Sequence, residues 1–181
     1  MSKKNIILLI IAIIFFAVAL LFFVNTLGLN ENKKDFVVEE ISKTKDIEDS
    51  KYAETTFYKA DGSEVKLSDY KNSPVVLMFF NKNNQDSIED LKKVEEIYKQ
   101  YEGKINFFMI NTSRDVDEEL QNEYSLEIYY DFYEETARNY NVKEVPSFIY
   151  INENNEVFNA KSGFTTSDAL EANLDILSNN I

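Results

Sequence analysis

The sequence predicts an α/β fold with a parallel sheet core, set behind one membrane-spanning helix. Three observations predict it. An unbroken apolar run from Ile6 to Val24 precedes the rest of the chain. Beyond it, apolar runs of strand length alternate with segments whose apolar residues recur at helical spacing. A final strand pair followed by a helix adds an antiparallel edge.

At 1.5 Å per residue the first run spans about 30 Å, the thickness of a bilayer's hydrocarbon core. It has no polar face, so it does not suit a helix packed on a soluble core. A cleaved signal peptide would have a shorter apolar region, roughly 7–15 residues, and a small-x-small site after it. Asn25-Thr26-Leu27-Gly28-Leu29 makes a poor site. Residues 1–29 are therefore expected to be a cytoplasmic tip and an uncleaved signal-anchor. Lys3 and Lys4 place the N-terminus in the cytoplasm by the positive-inside bias. The chain is then a single-pass protein of the cell membrane. Residues 30–53 are charged, low in aromatics, and read as a linker. Residues 54–181 form the extracytoplasmic domain.

That domain can be followed element by element. Thr55 to Leu67 reads as a hairpin with Asp61-Gly62 at its turn. Asn72-Ser73-Pro74 breaks the chain before Val75 to Phe80, an apolar run expected for a strand covered on both faces. Asp86 and Ser87 are good N-caps, with Glu89 and Asp90 in capping-box relation. Ile88, Leu91, Val94, Ile97 and Tyr101 then recur at helical spacing up to Gly103. Ile105 to Ile110 is a second buried strand. A helix is expected from Val116 to Tyr124, a strand from Leu126 to Tyr130, and a short helix from Glu134 to Tyr140. Ser147 to Ile151 and Glu156 to Lys161 are strands joined at Asn154-Asn155. Thr166 or Ser167 caps a last helix that carries Leu170, Leu174 and Leu177 on one face.

Composition excludes several functions. The chain has 181 residues, 32 of them acidic and 19 basic, for a net charge of -13. Such a surface repels phosphates, so nucleic acid is not an expected partner. There is no cysteine, hence no disulfide, no thiolate nucleophile and no thiolate metal site. There is no histidine either, which removes the usual neutral-pH base and the commonest metal ligand. No EF-hand spacing supports a carboxylate site. No metal and no cofactor are expected.

Order and motifs together resemble the thioredoxin-like superfamily, most closely its membrane-anchored TlpA/ResA-like (redoxin) branch. Asp61-Gly62-Ser63-Glu64-Val65-Lys66-Leu67-Ser68-Asp69-Tyr70 is similar to that branch's entry hairpin. Pro74 to Phe80 resembles the strand leading to its active site. Asp90 stands where the branch often has a Glu. Asp115 to Asp131 is similar to its helix–strand insert. Ala137 to Phe148 and Asn152 to Val157 resemble its proline element and closing hairpin. The likeness covers about residues 54–178. It implies a thioredoxin-like fold: a central mixed sheet flanked by helices, with an N-terminal β-hairpin and a helix–strand insert. It also implies a cis bond between Val145 and Pro146.

The chain departs from that family at the residues that carry its chemistry. Asn84-Gln85-Asp86-Ser87 falls on the Cys-x-x-Cys, and Asn83 replaces the preceding tryptophan. No catalytic residue is expected. Ser87 has no histidine to take its proton, so it reads as a capping residue. Asp86 and Asp90 read as capping and solvated helix residues. What remains is a binding groove at Asn83, Asn84, Gln85, Asp86, Ser87, Val145 and Pro146, where the family holds extended polypeptide. The backbone beside Pro146 is expected to offer an edge for strand addition. These features point to a redox-inactive protein-binding, chaperone-like or scaffold module, with another extracytoplasmic or membrane protein as partner. The alternative is a thiol-disulfide or peroxide oxidoreductase that borrows a partner's cysteines. Tyr124 to Tyr133 is a second candidate surface, although most of its aromatics are expected to be core or cover.

Overall fold

The computed structural model describes residues 55–179. The expected anchor, residues 1–29, and the linker, residues 30–53, lie outside the described residues. Among the described residues no helix is long and apolar enough to cross a membrane.

Thr56–Tyr58 (β1) and Glu64–Lys66 (β2) form the first hairpin. Gly62 sits at its turn with φ +84°, a left-handed conformation that glycine adopts without strain. Val75–Phe80 (β3) runs into helix Gln85–Ile97 (α1), which continues as a 3-10 turn over Tyr98–Tyr101. Asn106–Asn111 (β4), helix Glu118–Glu123 (α2) and strand Ile128–Tyr130 (β5) follow. Glu135–Asn139 (α3), Ser147–Ile151 (β6), Val157–Ser162 (β7) and Ser167–Asn179 (α4) complete the order.

The strands make one seven-stranded mixed sheet in the order β2-β1-β5-β4-β3-β6-β7. The trio β3, β4 and β5 is parallel, and both flanks are antiparallel. The Phe79–Ser147 pair sets the register between β3 and β6. Every residue of β3 is buried, because alternate side chains enter two different cores. Val76, Met78 and Phe80 pack with Leu91 and Val94 of α1 and with Leu170, Leu174 and Leu177 of α4. Val75, Leu77 and Phe79 pack on the opposite face with Phe57, Phe108, Tyr129 and Tyr140.

The expected Val116 to Tyr124 helix is trimmed to α2, because Asp117 takes the cap position and its carboxylate accepts the Leu120 amide at 3.0 Å. The insert is held to α1 by Glu95, whose carboxylate accepts the Ser125 and Leu126 amides at 2.9 and 3.2 Å. Most of the tyrosine-rich stretch is core or cover, as expected. Tyr124, Tyr129 and Tyr130 are buried, while Tyr133 is 63% exposed.

Candidate functional site

The carboxyl ends of β3 and β4 and the amino end of β6 meet at one end of the sheet. This is where an open α/β sheet places its ligands. The loop after Phe80 is a tight polar turn. Asn81 accepts the Asn83 amide through its side chain at 2.9 Å and the Asn84 amide through its carbonyl at 3.0 Å. Those bonds turn the chain so that Asn84, in extended backbone, becomes the cap of α1. Its Oδ1 accepts the Ser87 amide at 2.8 Å.

This corrects the expectation that Asp86 or Ser87 caps the helix. Asp86 is exposed in the first turn, where a negative charge suits the helix dipole. Ser87 is buried, and its Oγ has no hydrogen-bond partner. A buried hydroxyl without a base is not a nucleophile. Asn83 and Gln85 are exposed. Lys82, beside them, pairs with Asp117 and so ties the loop to the insert.

Asp90 also differs from expectation, since it is fully buried rather than solvated. The loop before α4 folds over it. Its Oδ2 accepts the Thr165 amide at 3.0 Å and its Oδ1 accepts Lys93 Nζ at 2.8 Å. Lys93 also donates to the Thr165 carbonyl at 2.6 Å and lies 3.4 Å from the centre of the Phe164 ring. Burial pushes the Asp90 carboxyl above the ordinary carboxylate value, against the pull of Lys93 and the Thr165 amide.

The Val145–Pro146 bond is cis. Pro146 is buried and its carbonyl accepts the Gly163 amide at 2.8 Å. That carbonyl is therefore taken up within the sheet, and Val145 beside it is half-buried. Beside Val145 lies a cavity of about 310 Å³. Ala137, Val142 and Val145 give it aliphatic wall, and Arg138, Lys143 and Glu144 give it charge. Thr112 and Glu134 line it as well, and of these eight residues the sequence reading included only Val145. Those from Glu134 to Glu144 lie in the segment that leads into Pro146, and that nearness was their signal, whereas Thr112 follows β4. Among the described residues no group of carboxylates is arranged to hold a metal ion.

Residues 45–159 match the family model described as AhpC/TSA. The chain belongs to the AhpC/TSA family. No curated protein matches it. Solved structures share the fold of this AhpC/TSA member. A secreted Mycobacterium tuberculosis disulfide oxidoreductase, described as homologous to E. coli DsbE, is 16% identical with a TM-score of 0.61. The match covers 72% of this chain and 100% of that one. A putative thiol:disulfide interchange protein DsbE from Chlorobium tepidum is 22% identical with a TM-score of 0.61, covering 68% and 92%. The exposed lipoprotein thioredoxin of Streptococcus pneumoniae is 21% identical with a TM-score of 0.59, covering 68% and 98%. At such identities the likeness shows the fold alone, a thioredoxin-like α/β fold. The absence of cysteine is consistent with a lost Cys-x-x-Cys.

Proposed function

We propose that this AhpC/TSA member is a redox-inactive, membrane-anchored module that binds polypeptide outside the membrane. The observation that carries the reading is a cavity beside Val145 at the sheet end where the loop has no thiol. Disulfide exchange requires a thiolate to attack sulfur, and peroxide reduction in a redoxin requires one to attack oxygen. Neither step has a donor in this chain. A binding role needs only shape, aliphatic contact and a few polar groups, and the cavity supplies those. The apolar run from Ile6 to Val24 supports the anchor, and Lys3 and Lys4 support its orientation.

The purified chain should neither reduce insulin nor turn over peroxide. Activity above a no-protein control would falsify the redox-inactive reading. A photo-crosslinker placed at Val145 or at Gln85 should capture the same neighbour in intact cells. Capture of that neighbour equally well from Glu171 on α4 would argue against a groove at this end of the sheet.

A further inference from the structure

Away from the loop, three aromatic rings gather at the β2 edge of the sheet. In register, Glu64 on β2 faces Tyr58 on β1, and Tyr58 faces Tyr130 on β5. Residues opposed in this way share one face of the sheet. Tyr130 is buried, and Phe132 stacks on it with centroids 5.4 Å apart and planes 8° from parallel. Tyr58 meets Phe132 at 5.5 Å and Tyr133 at 5.7 Å, the latter edge to face at 76°. Tyr58 and Phe132 are half-buried and Tyr133 is exposed, so the group presents a corner of ring faces to solvent.

The charges that act on the Tyr58 ring are negative. Burial first, and then Glu64, Tyr133, Glu135 and Asp131, push the Tyr58 phenol above its ordinary value, which places those carboxylates within electrostatic reach of the ring. Of the nearby cations, Lys59 pairs with Glu127 at 2.9 Å and Arg114 with Glu134 at 3.3 Å, whereas Lys66 on β2 and Arg138 on α3 form no ion pair among the described residues. Glu64 and Glu135 form no ion pair among the described residues. Aromatic faces attract cations, and adjacent carboxylates add both Coulomb attraction and hydrogen-bond acceptors.

We propose that Tyr58, Phe132 and Tyr133, flanked by Glu64 and Glu135, form a docking site for a lysine or arginine side chain on a basic segment of another polypeptide. Charge complementarity commits the site to this occupant. A primary ammonium or guanidinium donates N–H bonds to carboxylates, whereas a lipid's quaternary ammonium has none to donate. The three rings lie outside the lining of the cavity beside Val145, which takes only Glu134 from this stretch, and the proposal does not rest on the redox-inactive reading.

The test uses the full chain in detergent and a fluorescein-labelled tetra-lysine peptide, with tetra-glutamine as the neutral control, read by anisotropy. Tyr133→Ala removes a ring and no charge. It should weaken tetra-lysine binding about two- to fivefold, the size of an exposed cation–π contact. Tyr133→Phe should bind as wild type. Glu64→Gln with Glu135→Gln should weaken binding more than Glu171→Gln together with Asp168→Asn on α4. Undiminished binding by Tyr133→Ala would overturn the proposal, as would equal effects of the two charge-removing pairs, since binding would then follow net charge alone. Phosphatidylcholine vesicles that bind with the same Tyr133 dependence, while tetra-lysine does not, would overturn it in favour of a membrane surface.

Discussion

Asn84 Oδ1 accepts the Ser87 amide at 2.8 Å, joining the two positions where the sequence comparison with the thioredoxin-like family expects the cysteines. A capping bond stands in the space that a disulfide would span. The loop is therefore a finished helix start, with its amide satisfied and its serine enclosed.

The cap predicts a stability effect. Asn84→Ala should destabilise the domain by about 1 kcal/mol, within the usual range for a lost N-cap. Asp86→Ala should have a smaller effect, because its carboxylate acts on the helix dipole from an exposed position. Urea unfolding of both variants measures the difference, and a larger loss for Asp86→Ala would reassign the cap.

The same two positions predict covalent geometry. Cysteines three apart at the start of a helix lie about 5–6 Å apart between Cα atoms, within disulfide range. Asn84→Cys with Ser87→Cys should close a disulfide under mild oxidation and gain some exchange activity. Mass spectrometry of the oxidised double variant reads the first outcome. Two thiols that never pair would show that this loop is not the family's active-site position.

Asp90 predicts a pH dependence. Its carboxyl titrates above the ordinary value of 3.8 in the folded protein. Between those two values the folded state holds more protons than the unfolded state, so stability falls as pH rises through that window. Asp90→Asn removes this contribution and leaves the similar one from buried Asp131 in place. The stability of wild type relative to Asp90→Asn should therefore be greatest below pH 3.8 and should decline as pH rises. Urea unfolding across pH 3–7 measures it. The opposite slope would mean that the Lys93 pair outweighs burial.

Phe57 predicts a core effect. It is fully buried, with Phe108 at 4.8 Å and Tyr129 at 5.1 Å between centroids. Phe57→Ala should destabilise the domain by about 3–5 kcal/mol through lost transfer energy and a cavity. A loss under about 1 kcal/mol in chemical denaturation would mean that the hairpin contributes little to the second core.

Much of this architecture was legible in the residues, for local reasons. Val75 to Phe80 could only be a strand covered on both faces, and it is. Asp61-Gly62 marked a turn because glycine alone enters its φ of +84° without strain. The site was less legible. Asn84, Asp86 and Ser87 are all competent caps, and the choice among them depends on how Asn81 turns the chain after β3. Asp90 looked solvated because its helix is polar on several sides. Its burial comes from Thr165, which lies 75 residues further along the chain.

By itself, then, the sequence determined the alternation of strands and helices, the acidic charge and the absence of any thiol or imidazole. Those follow from which side chains are present and at what local spacing. Tertiary structure decided which polar groups are buried and paired, that a cavity sits beside Val145, and that Tyr58, Phe132 and Tyr133 share one corner. Those depend on sheet register and on contacts between segments far apart in the chain, which no local pattern records.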